Sequence, residues 1–502
     1  FKQKTAYEML RSLVGSEMCI RDRAIVVDEK IITGAELNFD SKTLSKYSKT
    51  SSLFDRSIEP DYGETPFLNV PKVYQSTLKN GLKIYGIKND EVPLVNFNLT
   101  IQGGQLLESM DKLGLSNFTA QLMNKGTKDK TVKELEESIQ ELGASIYVSS
   151  NTESINIAVT TLSKNFKSTL LLVEEILLSP RFELDEFNLL KKAIISSIRQ
   201  QQASPNSVAR KAYSELIYGN DNIRSKNISG NINSVKSITL EDVKLFYDNF
   251  ISPSVAKILV VGNIEKKDLL ASLSSLNLNW KKKKVNIPKY KTPDAPSKSS
   301  VYFYDIPNSK QSILQFGAPA LAATDKDYYP ATVMNYILGG GGFASRLTQE
   351  LREGKGYTYG INSRFSGTKA KGLFTISSGV RSNVTLESAL LVKKILTDYP
   401  NTFSQKDLEI SKSFLIKSNA RAFETANAKL RMLSNISSYN WKPDYVGERE
   451  QVVETMTIEQ IKELANKYVN PNQMIWLIVG DAATQLERMK ELGYGEPILL
   501  NK

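Results

Sequence analysis

ITLEDVKLFYDNFISPSVAKILVVGN, residues 238–263, and MTIEQIKELANKYVNPNQMIWLIVGD, residues 456–481, are two copies of one pattern. Thr239 pairs with Thr457, Pro253 with Pro471 and Gly262 with Gly480, each pair 218 positions apart. A helix, a proline-marked turn and an apolar strand follow in the same order in both. A second segment, helix–proline–helix around Pro180, recurs around Pro400. Register kept through a helix, a proline and a strand marks an internal duplication of about 215 residues, too long a period for a solenoid.

The remaining sequence bounds what the two copies can do. At roughly 100–200 residues per domain, 502 residues suggest two to four domains. The chain is 41% hydrophobic and 24% charged, the balance of an ordinary globular protein. It has one cysteine and no histidine. A disulfide within the chain, a Ser-His-Asp triad, a Cys-His pair and a His-ligated zinc are therefore all excluded for this chain alone. No uninterrupted apolar run approaches the roughly 20 residues of a membrane-spanning helix.

Residues 1–23 are set aside. Lys2–Met9 and Leu13–Arg23 resemble one reading frame of sequencing-library adapter DNA, and they include the lone Cys19. The native amino terminus and any signal peptide are then expected to be missing. Residues 24–66, rich in Ser, Lys, Thr and Asp without sustained periodicity, read as a linker or tail. In 67–280, Asn80-Gly81 predicts a hairpin turn. Val95, Phe97, Leu99 and Ile101 alternate as a strand closed by Gly103-Gly104, and Ile155, Ile157 and Val159 as another. Thr131 and Glu134 predict a capped helix. Two further helices are expected at about 165–178 and 185–202, with Pro180 as the breaker between them. Residues 281–299 join this copy to the second, 300–502. Seven lysines there face only Asp294, and three prolines follow. Little aromatic interleaving and no recognition motif accompany these lysines, so the segment reads as a solvated linker and not as a nucleic-acid surface.

The longest glycine run, Gly339–Gly342, lacks the Gly-Lys-Ser/Thr of a phosphate loop and the spacing of a dinucleotide fingerprint. No G-x-S-x-G nucleophile elbow occurs. After the run comes S-R-L-x-x-x-L-R-E-x-x-G-Y-x-Y-G, Ser345 to Gly360, which reads as an amphipathic helix, a Gly-rich turn and a strand. This segment resembles the C-terminal domain signature of the insulinase, pitrilysin and mitochondrial processing peptidase family of zinc peptidases. The resemblance covers about 70–500. It implies an α+β fold of two homologous lobes, each a mixed sheet packed with helices, together forming half of a clamshell around an extended peptide. It also implies that Arg352 and Tyr359, seven positions apart, bind the substrate backbone and donate to the oxyanion, as a guanidinium and a phenol can. Gly339, Gly340, Gly341 and Gly342 would let the substrate backbone approach.

The same resemblance calls for an inverted zinc motif, His-x-x-Glu-His, in the first copy. The matching segment is GLSNFTAQLMNKGT, Gly114 to Thr127, which keeps the framing Gly-Leu and Lys-Gly-Thr. The two ligand positions are Asn117 and Gln121, the general-base position is Ala120, and the third-ligand position is Ser197. All four have lost their chemistry together, so no metal or cofactor is expected in this chain. The resemblance then implies the non-catalytic partner of a homologous active zinc-peptidase subunit, or of an active upstream half of a tandem chain. Zinc is supplied from that side, an unfolded peptide is the substrate, and Arg352 and Tyr359 act in trans. The alternative is a structural or assembly subunit, as the core subunits of the respiratory bc1 complex are. Analogy with bacterial relatives suggests a Gram-negative periplasm or envelope, although the sequence itself does not identify a compartment.

Overall fold

The structure, a computed structural model, describes residues 69–500, the strands β1 (Ala24–Val27) and β2 (Lys30–Thr33), and residues 54, 55 and 58. Residues 1–23, read as adapter sequence, lie outside the described residues. β1 and β2 pair antiparallel, Ile25 opposite Ile32 and Val26 opposite Ile31. The stretch read as an aperiodic tail therefore contains a hairpin, built from β-branched residues that favour strands. The chain divides into two units, Phe1–Glu64 and Thr65–Lys502, and the second holds both copies of the repeat.

In the first copy, β3 (Tyr74–Thr77), β4 (Lys83–Lys88), β5 (Leu94–Gln102), β6 (Ser145–Ser150), β7 (Ser154–Leu162) and β8 (Ala256–Gly262) form a mixed sheet. Its order is β3-β4-β8-β5-β7-β6. Gly81, at φ 94°, makes the turn between β3 and β4 that Asn80-Gly81 predicts. β5 alternates strictly between buried and half-buried residues. On one face lie α1 (Leu115–Met123), α2 (Val132–Glu141), α3 (Phe166–Leu178) and α4 (Leu184–Gln202). Their apolar stripes meet Phe97, Leu99, Ile258 and Val260 in one core. Thr131 and Glu134 form the expected capping box at the start of α2. α5 (Pro205–Tyr218), α6 (Leu240–Phe250) and three short helices at Ile232–Ser237, Lys266–Ser272 and Ser274–Asn279 also belong to this copy.

The second copy repeats the plan. β9 (Ser300–Asp305), β10 (Gln311–Pro319), β11 (Thr358–Ser366), β12 (Leu373–Arg381), β13 (Ile475–Gly480) and β14 (Ile498–Leu499) form a sheet in the order β11-β12-β10-β13-β9-β14. Read from the other end, this is the strand order of the first sheet, with β14 at the edge that β3 occupies. The helices are α7 (Tyr328–Asn335), α8 (Thr385–Thr402), α9 (Gln405–Ser418), α10 (Ala426–Tyr439), α11 (Tyr445–Thr455) and α12 (Ile458–Tyr468). Pro400 does not break the chain as Pro180 does. It is buried inside the last turn of α8, and the helix stops at Thr402, where Ser404 and Asp407 cap α9.

The two copies exchange helices. Ala209, Ala212, Tyr213 and Ile217 of α5 pack on Ile313, Ile475, Leu477 and Val479 of the second sheet. Met432, Leu433 and Ile436 of α10 pack on Ile87, Leu259 and Val261 of the first. Each central strand, β8 and β13, is thereby covered on both faces, which explains why both read as continuous apolar runs. Residues 281–299 carry no helix or strand. They are tied down at Thr292, whose hydroxyl donates to the Lys371 carbonyl at 2.7 Å.

Candidate functional site

The helix that matches the zinc motif is α1. Gly114, at φ 96°, turns the chain into it. Glu108, buried just upstream, accepts from the Gly114 amide at 2.8 Å, the Ser116 amide at 2.8 Å and the Ser116 hydroxyl at 2.6 Å. This carboxylate satisfies amides that the first turn leaves free. Burial pushes its pKa up to about 7, against the opposing pull of those hydrogen bonds. Sequence reasoning missed Glu108, because a single acidic residue upstream of a helix start belongs to no motif.

Asn117 and Gln121 lie one turn apart on α1, and the Gln121 amide donates to Asn117 Oδ1 at 3.1 Å. Ala120, between them in sequence, is fully buried in the core. Ser197 is exposed on α4, and its hydroxyl accepts from the Gln201 amide at 3.3 Å. Two neutral amides joined by one hydrogen bond, a methyl and an exposed hydroxyl do not fit a zinc ion, which takes thiolate, imidazole or carboxylate donors. No step of a reaction can be placed on these residues.

The Arg/Tyr segment has a different character. α7 runs into a wide turn, Tyr336–Gly340, closed by the Gly341 amide on the Tyr336 carbonyl at 2.7 Å. The four glycines are not equivalent. Gly339 is buried, and a Cβ there would stand 2.3 Å from Ser363 Oγ and 2.7 Å from Leu347 Cδ1. Its small size serves the packing of this turn on β11. Gly342, at φ 57°, has open space around it.

Ser345–Gly354 was expected as a single amphipathic helix. It is a short α-turn, Arg346–Thr348, which widens over Gln349–Gly354 so that the Lys355 amide reaches back to the Glu350 carbonyl. Such widened turns recur at functional sites. Leu347 and Leu351 anchor it in the core. Arg346 is also an anchor, bonded to Asp407 at 2.7 Å and to the Thr402 carbonyl at 2.7 Å. Arg352 is freer: its guanidinium carbon lies 4.6 Å from the Phe343 ring centroid, and its Nε lies 3.3 Å from Glu353.

Tyr359 follows on β11, the edge strand of the second sheet. Thr358 pairs with Val380 but Ile361 pairs with Ser378, so Tyr359 and Gly360 together oppose Gly379 in a bulge. The Thr358 hydroxyl holds the bulge, accepting from the Gly360 amide at 3.0 Å. The bulge leaves Tyr359 92% exposed.

A duplicated pair of α+β lobes, with a helix that carries no zinc-type donors at the motif positions in one and an Arg/Tyr element at a sheet edge in the other, is the frame of a peptidase-like protein. Residues 84–228 match the insulinase (peptidase family M16) profile, and residues 237–415 match that of the peptidase M16 inactive domain. The chain belongs to the insulinase family. It is similar to the non-peptidase homolog YmxG of Helicobacter pylori, 22% identical over 78% of this chain and 90% of that protein. It is also similar to the uncharacterized zinc protease YmxG of Bacillus subtilis, 23% identical over 80% and 97%. Among solved structures, the peptidase M16 inactive domain from Pseudomonas fluorescens superposes with a TM-score of 0.75. That match is at 24% identity and covers 82% of this chain and 98% of that one.

Proposed function

We propose that this chain is the zinc-free partner of a homologous zinc metallopeptidase, and that it binds extended, unfolded peptide and stabilises the oxyanion. The observation that carries this reading is Tyr359. A phenol held almost fully exposed by a bulge, on the edge strand of its sheet and in the same motif as Arg352, faces outward where a second chain can meet it. Peptide adding as a strand along β11 would be held by main-chain hydrogen bonds with little sequence preference. Arg352 and Tyr359 would then donate to the carbonyl under attack, while the metal and the general base belong to the partner. Gly342 leaves room for a second backbone. The pairing is supported further by Helicobacter pylori, where a non-peptidase homolog and the zinc protease PqqE, 23% identical over 64% of this chain, are both similar to it.

The test is reconstitution of the full chain with a homologous subunit bearing His-x-x-Glu-His, with cleavage of an unfolded reporter peptide as the readout. Arg352→Ala should lower turnover and leave association intact. Loss of association instead would assign this segment to assembly, the role of a structural subunit.

A further inference from the structure

β8 contains one charge. Along Ala256–Gly262, Ala256, Ile258 and Val260 enter the core of the first lobe, and Leu259 and Val261 meet α10. Lys257 shares the face of Leu259 and Val261 and is 94% buried. The fold does not require a lysine there. At the same place in the second copy, 218 positions on, stands Ile475, packed against Ile217 and Tyr213.

Among the described residues, no carboxylate lies within ion-pair distance of Lys257. Its Nζ donates to Ser437 Oγ and Ser438 Oγ, each at 2.7 Å, from the end of α10. Burying an ammonium on two neutral hydroxyls is costly. Desolvation pushes its pKa down to about 8, with Lys369 and Lys83 adding repulsion.

Lys257 lines a cavity of about 650 Å³ between the two lobes, closed on one side by residues 287–290. Arg224, Lys289 and Lys369 also line it. The one carboxylate present, Glu153, is already engaged: its Oε1 accepts from Arg224 at 2.8 Å and from the Thr368 hydroxyl at 2.9 Å. Arg224 Nε is buried and has no hydrogen-bond partner. The lining therefore sets four cationic side chains, with Lys289 and Lys369 exposed and Lys257 and Arg224 deeper, against one carboxylate, an excess of positive charge that draws an anion in. Tyr439 and Tyr290 form part of its wall, and a volume of this size suits a small organic molecule.

We infer that the inter-lobe cavity at Lys257 is a binding site for a small organic anion, with a carboxylate or phosphate on Lys257 and an apolar body against Tyr439 and Tyr290. The site lies apart from the Arg352–Tyr359 element and does not depend on the peptidase-partner reading.

The test is titration of the full chain with phenyl phosphate and, separately, with benzoate, at constant ionic strength. One saturable site per chain is expected for at least one probe, and the preferred probe distinguishes phosphate from carboxylate. Lys257→Met should weaken binding roughly tenfold or more, as loss of a charge-assisted hydrogen bond does. Lys369→Ala alters an exposed residue, should fold normally, and should weaken binding by about threefold through loss of nearby charge. The inference is overturned by the absence of saturable binding of both probes up to about 10 mM. It is equally overturned by unchanged affinity in Lys257→Met or, should that variant not fold, in Lys369→Ala.

Discussion

The Thr358 hydroxyl donates to the Gly379 carbonyl across the strand pair at 2.7 Å, at the point where β11 carries one residue more than β12. This bond fixes the bulge that turns Tyr359 outward. Thr358 is itself buried, and the Ser378 hydroxyl donates to it at 3.0 Å.

Thr358→Val keeps the shape of the side chain and removes its hydroxyl. The Gly379 carbonyl then loses its donor and the buried Ser378 hydroxyl one of its two acceptors, a cost of about 1 kcal/mol for such partly buried groups. Urea unfolding should show that loss with an unchanged m-value. In the reconstituted pair, turnover should fall although Thr358 touches no substrate, and KM should change less than kcat.

Glu108 gives the fold a pH dependence of definite sign. Its folded pKa, about 7, lies above the ordinary value of 4.5. The native state therefore holds the proton more tightly than the unfolded chain. The resulting stability is complete below pH 4.5 and is lost as pH rises through about 7, a difference of about 3 kcal/mol over the window. Unfolding of the wild type at pH 5 and pH 8 should show it, and Glu108→Gln should flatten that part of the profile. Parallel curves for the two proteins would contradict the assignment.

Asn117 and Gln121 are already within hydrogen-bond reach of each other on one face of α1. Replacing both with histidine places two imidazoles at i and i+4, the spacing that chelates a divalent ion. Asn117→His/Gln121→His should therefore bind zinc measurably by calorimetry, while Asn117→His alone should bind far more weakly. Equal binding by the single and double variants would mean that the helix face no longer has the parent geometry.

Much of the architecture was legible in the sequence because the duplication repeats caps, prolines and apolar runs in register. Thr239 and Thr457 both open capping boxes, and β8 and β13 both end at the paired glycines. The exchange of α5 and α10 was not legible: an amphipathic stripe demands an apolar surface but does not say whose. The helix–proline–helix order around Pro400 was readable, but not that the proline would sit buried inside the last turn of α8. At the candidate site, the residue types at the motif positions of α1 were readable directly. The bulge at Tyr359 and the separate duty of Gly339 were not, since both depend on contacts with strands distant in sequence. Lys257 left one trace, a single charge in an apolar strand whose copy has isoleucine.

The most direct measurement is kcat for reporter-peptide cleavage by the reconstituted pair, with wild type, Arg352→Ala and Tyr359→Phe compared at equal complex concentration. Loss of an oxyanion donor costs about 2.7–4 kcal/mol, so Arg352→Ala should lower kcat by roughly 10²–10³-fold while the complex still forms. Tyr359→Phe should follow in the same direction. Turnover unchanged in both variants, or no cleavage by the wild-type pair, would contradict a role in trans catalysis.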